Sequence, residues 1–302
     1  MSANNSYPNP SPSVAIIVPT FARPEKLARC LEALSRLRGG PYRTVVVDDG
    51  SPQSMESVCE PYREWVQLLR QKNAGPAAAR NAGARAAAGA EIVAFLDDDC
   101  LPGEDWIVKL LAAQQGVRGR LVGGRVINAL PDNIYSTASQ ALCSYLYEYY
   151  QKSGSEMAFF TSNNLACRRE DFMDFGGFDE DFPLAAGEDR DFGMRWYADG
   201  GELRYAEGAI INHAHDLTLS KFWRQQSNYG RGARQLHNRM DGRGDKRAKL
   251  EQVSFYLGLL VYPFRRQAKR PMSEMMLLGW SQVAMISGYM QAMLAERTKS
   301  SS

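Results

Sequence analysis

The sequence predicts an α/β fold with a mainly parallel central sheet flanked by helices, followed by a helical C-terminal appendage. Three observations carry this expectation. Strand, polar turn and helix recur in units of about 25 to 35 residues over the first hundred positions. The apolar runs in those units are continuous rather than alternating, as in strands covered on both faces. After residue 216 the strand patterns give way to long helical ones with a strong basic excess.

The elements follow in order. Val14–Val18 reads as the first strand and stops at Pro19-Thr20-Phe21; Pro24 then opens an amphipathic helix with Leu27, Leu31, Leu34 and Leu37 on its apolar side. Thr44–Val47 is the second strand and ends at Asp48-Asp49-Gly50-Ser51. Val66–Leu69 leads through Asn73-Ala74-Gly75-Pro76 into an Ala-rich helix from about Ala77 to Ala88. Ile92–Leu96 is the fourth strand, and it ends in three successive carboxylates, Asp97, Asp98 and Asp99. Open α/β sheets place their ligands at the carboxyl ends of the strands. The repeats therefore deliver Thr20, Asp49 and Asp99 to one edge.

Three adjacent carboxylates repel one another unless a cation neutralises them, and hard oxygen donors favour Mg²⁺ or Mn²⁺ carrying substrate phosphates. The same triplet also suits a solvated acidic turn that caps the helix starting near Glu104. Asp48-Asp49 admits two readings as well: an Asx turn, or a carboxylate that accepts the imide N–H of uracil or thymine. Arg80 is either a solvated helix charge or a counter-ion to a diphosphate. The Rossmann GxGxxG fingerprint is absent, which disfavours hydride transfer.

An ordered set of motifs resembles the inverting family 2 glycosyltransferases of the GT-A fold. It comprises Val18-Pro19-Thr20-Phe21 with Arg23, Val47 to Ser51, Asn73 to Pro76 with Ala79 to Gly83, and Phe95 to Asp99. It continues through Ser162-Asn163-Asn164, Gly176 to Glu180 and Gly187 to Asp191, covering roughly residues 14 to 235. The resemblance implies a DxD element in which Asp99 is the metal ligand and Asp97 faces the ribose or the metal, with Asp98 in the same donor-binding set. It implies that Asp49 recognises a pyrimidine base inside the loop of Pro19, Thr20 and Phe21, and that Arg23, Asn73, Gly75 and Arg80 line the nucleotide-sugar. Glu188 and Asp189 match the catalytic acidic pair near the acceptor, Asp189 being the general base; their place at a helix start also opposes its dipole. His213, preferred to His215, would complete the metal site with Mn²⁺ or Mg²⁺, and Arg231 would close over the diphosphate.

The resemblance thus implies a UDP- or dTDP-sugar donor and a hydroxyl-bearing acceptor that is a glycan, a lipid-linked molecule or a secondary metabolite. Two alternatives stand beside it: a sugar-phosphate nucleotidyltransferase, and a non-catalytic sugar-nucleotide-binding or scaffold subunit. The first usually needs a Gly-rich loop after the first strand, and Pro19 to Arg23 supplies no glycine. Hydroxyl recognition is assigned to the variable stretch Gly119–Met157.

Residues 1–13, polar and rich in Pro, Asn and Ser, read as a disordered lead-in; 14–215 as the GT-A catalytic domain; 216–302 as the basic helical region. Five scattered cysteines without a CxxC pair suggest a cytoplasmic protein. From Leu217 onward there are 15 Lys/Arg against 5 Asp/Glu, although the whole chain is only +2, so the catalytic region is net acidic. Helices are expected over Leu217 to Met240, Lys246 to Gln267 and Ser273 to Arg297, with a basic turn from Arg265 to Arg270. Met275–Leu294 carries no charge, yet its Ser and Gln residues argue against a lone bilayer crossing. Peripheral contact with the inner face of a cell membrane, packing on the catalytic domain, and contact with a second subunit in a homo-oligomer are the readings left open. Nucleic acid is not expected as a partner.

Overall fold

The computed structural model describes residues 13–40, 42–153, 159–182, 184, 186–244 and 251–300. The expected lead-in, apart from Ser13, and residues 246–250 at the start of the expected second C-terminal helix lie outside these. Along the chain come β1 (Val14–Thr20), α1 (Pro24–Leu34), β2 (Arg43–Asp48), α2 (Glu56–Cys59), β3 (Val66–Arg70), α3 (Pro76–Ala86), β4 (Ile92–Leu96) and β5 (Cys100–Pro102). Then follow α4 (Trp106–Gln114), β6 (Arg120–Asn128), α5 (Ile134–Ser153), β7 (Asn164–Arg168), α6 (Arg169–Asp174), α7 (Glu188–Ala198) and β8 (Glu202–His213). Three helices close the chain: α8 (Leu219–Gly242), α9 (Val253–Arg265) and α10 (Pro271–Ser300).

The strands form one sheet in the order β3-β2-β1-β4-β7-β6-β8-β5. Its first half, β3-β2-β1-β4, is parallel, as the continuous apolar runs predict. Every residue of β1 and β4 is buried, with Ile16 and Val18 packing in one core layer and Ala15 and Ile17 in the other. Beyond β4 the sheet is mixed, because β7 runs antiparallel to both β4 and β6. The stretch Gly119–Met157, read from sequence only as pocket-shaping, in fact supplies strand β6 and helix α5.

The far end of the sheet positions the site. Strand β5 is three residues long and pairs antiparallel with β8, setting Cys100 opposite His213. The backbone N–H of Ala214 also donates to the carbonyl of Asp99 at 2.8 Å. This register carries a histidine more than a hundred residues away to the end of the acidic triplet.

The first and last C-terminal helices have nearly the extents expected, whereas α9 begins at Val253, with Glu251 and Gln252 outside it, rather than at Lys246; all three pack on the rest of the molecule. Tyr145 of α5, Phe255, Leu259 and Tyr262 of α9, and Leu278 of α10 make a core of their own. Helices α8 and α10 cross at almost backbone distance: a Cβ on Gly230 would lie 1.9 Å from the Met285 carbonyl oxygen, and one on Gly288 would lie 1.8 Å from that of Ser227. Only glycine permits that approach.

Candidate functional site

The three adjacent aspartates point to three different partners, which is how the fold accommodates their mutual repulsion. Asp97, about a quarter exposed, accepts a hydrogen bond from Arg80 Nη2 at 2.7 Å. Asp98 is fully buried; Thr20 Oγ1 donates to its Oδ2 at 2.7 Å, and Arg23 pairs with it through Nε at 3.1 Å and Nη2 at 2.8 Å. Asp99 holds His213 Nε2 at 3.2 Å on one oxygen, with Lys26 Nζ at 3.1 Å and Arg23 Nη1 at 3.3 Å on the other. Burial opposes the charge on Asp99, yet the hydrogen bond and charge of His213, with Arg23 and Lys26, hold its carboxyl below the usual range.

The chemistry of this cluster fits a divalent cation. One ligand atom each from Asp99, Cys100 and His213 lie within 4.8 Å of one another. Burial, reinforced by Asp99 and Asp97, pushes the Cys100 thiol well up, so it stays protonated and does not suit a hard cation. That leaves the Asp99 carboxylate and the His213 imidazole, a usual pair for Mn²⁺. His215 lies against His213 with ring centroids 4.8 Å apart and the rings tilted by 33°, but burial and the neighbouring His213 push it down to about 4, and its ring nitrogens face Gln225.

Arg80 connects this edge to the acidic pair. Its buried guanidinium reaches Asp97 on one side and Glu188 Oε1 at 3.1 Å on the other, lying over the Phe178 ring at 5.7 Å. Glu188 is buried and its Oε2 has no hydrogen-bond partner, an acceptor left open inside the protein. Burial pushes the Glu188 carboxyl up to about 7, helped by the adjacent Asp189 and resisted by Arg80. Burial raises Asp189 as well, although it accepts from the Arg190 N–H at 2.8 Å. Both sit in the first turn of α7, entered through Gly187 at φ +98°. The third acid of that turn is structural: Asp191 is fully buried between Arg195 at 2.7 Å and Arg243 at 2.8 Å.

Asp49 resolves into a loop organiser. Its Oδ1 accepts from Gln71 Nε2 at 2.8 Å and the Ala74 N–H at 2.9 Å, and its Oδ2 accepts from the Gly75 N–H at 2.9 Å. Asn73 Nδ2 donates back to the Asp49 carbonyl at 2.9 Å, so the loops after β2 and β3 are laced together. A carboxylate has about four acceptor sites, and three are filled here. The Asx-turn reading fits Asp48, whose Oδ1 accepts the Ser51 N–H at 2.9 Å.

Three sequence expectations change with the geometry. Pro19 is buried within β1 opposite Val47, and Thr20 spends its hydroxyl on Asp98; of that loop only Phe21 is exposed. Asp98 is walled off by Thr20 and Arg23, so it orients the triplet rather than facing an open cleft. Arg231 joins none of these groups: it is exposed, with Asn228 and Gln291 as its hydrogen-bond partners. Asp179 is taken by Arg239 Nε at 2.8 Å. Conversely, Lys26 and Gln71 were missed. Lys26 stands three residues after Arg23 at the start of α1, one helical turn that puts both cations at Asp99. Trp196 lies in the core, stacked on Phe175 at 4.1 Å.

A family model described as glycosyl transferase family 2 matches residues 15–176, more than half of the chain. The chain belongs to glycosyl transferase family 2. Among curated relatives of this family 2 chain is the pre-mycofactocin glycosyltransferase of Mycobacterium tuberculosis, 30% identical over 248 residues that cover 78% of this chain and 51% of the relative. The chondroitin synthase of Escherichia coli is 28% identical over 238 residues, 66% of this chain and 34% of that one. The chain thus spans about half the length of the first and a third of the second. In fold it is similar to a mannosyltransferase from Pyrobaculum calidifontis solved with GDP-Man and Mn2+, with TM-score 0.57, 18% identity, and coverage of 97% of this chain and 81% of that one. GalNAc-T7, solved with UDP, GalNAc and Mn2+, gives a TM-score of 0.55 at 14% identity over 90% of this chain and 57% of its own. The mixed α/β sheet with flanking helices is therefore a GT-A fold.

Proposed function

We propose that this family 2 chain is an inverting, metal-dependent glycosyltransferase that moves a sugar from a UDP- or dTDP-sugar to a hydroxyl group. The observation that carries the reading is the His213–Asp99 pair standing two residues from Asp97, which Arg80 bridges to Glu188, the neighbour of Asp189 in the first turn of α7. It joins a cation-binding end to a basic carboxylate within one edge of the sheet. The relatives and fold neighbours support the reading, two of the latter having been solved with a nucleotide and Mn2+.

When bound, a divalent cation at Asp99 and His213 neutralises the charge that builds on the departing diphosphate. Arg80 orients Asp97 and Glu188. Arg23 and Lys26 keep Asp99 ionised and stand ready to meet phosphate oxygens. Phe21 offers an exposed ring to the base, and the remaining acceptor site on Asp49 takes an imide N–H. Asp189, raised by burial, takes the proton from the acceptor hydroxyl as it attacks the anomeric carbon from the face opposite the diphosphate. One displacement of this kind inverts the anomeric configuration.

Membership of family 2 favours glycosyl over nucleotidyl transfer, and the intact acidic residues disfavour a purely scaffolding role. The test is calorimetric titration of purified protein with nucleotide sugars, with and without Mn²⁺, followed by assay for donor hydrolysis and transfer. Heat and turnover with a UDP- or dTDP-sugar only when Mn²⁺ or Mg²⁺ is present are expected; metal-independent binding would overturn the cation's role, and preference for a GDP-sugar would overturn that of Asp49.

A further inference from the structure

Helix α10 packs through one face only. Between Met272 and Met290 its exposed side chains are Met272, Met276, Trp280, Val283, Ile286 and Met290, a row of large apolar groups at spacings of three and four. The row runs straight for about 27 Å at 1.5 Å per residue. Trp280 is 46% exposed and Ile286 64%. The one charged residue between Pro271 and Ala295 is Glu274, buried against Arg266. Antiparallel to it, α9 exposes Val253, Leu257, Val261 and Phe264. The turn between them carries Arg265, Arg266, Lys269 and Arg270, all exposed, with Arg265 paired to Glu148 at 3.2 Å and Arg266 to Glu274, so that Lys269 and Arg270 face outward for a partner.

We infer that this hairpin is a docking surface for an anionic lipid bilayer, on which α9 and α10 lie in the interface plane. The charge around the rows selects this occupant. Residues 251–300 hold six Lys/Arg and three Asp/Glu, and all three acids are engaged inside the fold: Glu251 with Tyr150, Glu274 with Arg266, Glu296 with Arg234. A second copy laid on the row in parallel would set basic turn against basic turn; laid antiparallel, it would set that turn against exposed Arg297. Lipid phosphates satisfy the turn while acyl chains cover the row. No described helix is long and apolar enough to cross a membrane, which agrees with a helix lying on it.

The test uses the full chain and sedimentation with vesicles of phosphatidylcholine alone or mixed with phosphatidylglycerol. Binding to the mixed vesicles is expected, weakening with added salt, falling about tenfold or more in Lys269→Glu/Arg270→Glu, and lost in Ile286→Glu. Trp280 fluorescence should shift to the blue on binding, and Trp280→Phe should remove that change. Thermal melting establishes that each variant is folded; the turn variant alters only exposed side chains and keeps the test open if Ile286→Glu is unstable. Failure to sediment with the mixed vesicles overturns the inference, as does binding untouched by both variants. So does a dimer, seen by analytical ultracentrifugation, that Ile286→Glu dissolves while vesicles bind nothing. None of these readouts depends on sugar transfer.

Discussion

Removing the Arg80 guanidinium should destabilise the protein by an amount that grows with pH. Among the described residues Arg80 is the cation paired with Glu188, a carboxyl only 3% exposed whose Oε2 has no partner among them. Arg80→Met leaves Glu188 buried with Asp189 beside it. Breaking a buried pair from one side costs about 3–5 kcal/mol, and the lower end applies here because Asp97 is about a quarter exposed and solvent screens its share. In the wild-type protein Glu188 sits at about 7, against an ordinary value of 4.5. The folded state therefore binds an extra proton between those values, and stability falls there as pH rises. Without Arg80 the carboxyl rises further, which prolongs the fall above pH 7. The mutant should be about 3 kcal/mol less stable at pH 6, with a further ~1.4 kcal/mol lost for each pH unit above 7 until the new value is passed. Urea unfolding at pH 6, 7, 8 and 9 measures this. Adding Glu188→Gln to Arg80→Met should abolish the extra pH dependence. A penalty equal at pH 6 and pH 9 would refute the placement of a buried charge at Glu188.

Three further outcomes follow from the same geometry. Asp99→Asn should abolish Mn²⁺-dependent nucleotide binding, whereas Asp189→Asn should retain it and reduce transfer roughly 10²- to 10⁴-fold; equal loss of binding in titrations of both would contradict their separate roles. Because burial raises Asp189 and the deprotonated carboxylate is the base, the acid-side decline of kcat/KM should lie above the 3.8 of an ordinary aspartate, and a decline at or below that value would exclude it. Gly232→Ala should cost about 1–3 kcal/mol and depress kcat, since its Cβ would lie 2.1 Å from the Ala186 carbonyl oxygen and push α8 against the chain entering α7; unchanged melting and turnover would show that this contact yields freely.

The parallel half of the fold was legible because its strands are continuous apolar runs, Val14–Val18 and Ile92–Leu96 among them, each ending in polar turns. The mixed half was not. Strand β6 contains Gly123 and Gly124, and a register shift against β8 falls immediately after them, so no clean period exists to be read. Residue types at the site were legible as chemistry but not as direction. Nothing in three consecutive aspartates says that the middle one is sealed in by Thr20 and Arg23 while its neighbours face Arg80 and His213. Lys26 was invisible for the opposite reason: a lysine in a first helical turn looks like any solvated charge, and only the position of α1 over the strand end gives it Asp99.

The triplet therefore acts as a junction as well as a binding element. Asp97 ties β4 to α3 through Arg80, Asp98 ties it to β1 and the start of α1 through Thr20 and Arg23, and Asp99 ties it to β8 through His213. A cation held by Asp99 and His213 would sit beside the carboxylate whose other oxygen holds Lys26 and Arg23, two groups of its own sign. Its entry is opposed by the charge of Lys26, whose side chain is about a third exposed and can turn towards a diphosphate. Metal and nucleotide should then bind with positive coupling, each relieving a cost the other imposes. Titrating Mn²⁺ with and without UDP measures that coupling, and Lys26→Gln should tighten metal binding alone while reducing the gain from UDP. If Lys26→Gln left both affinities unchanged, the ammonium would have no part in the site, and the charge balance at Asp99 would rest on Arg23 and His213.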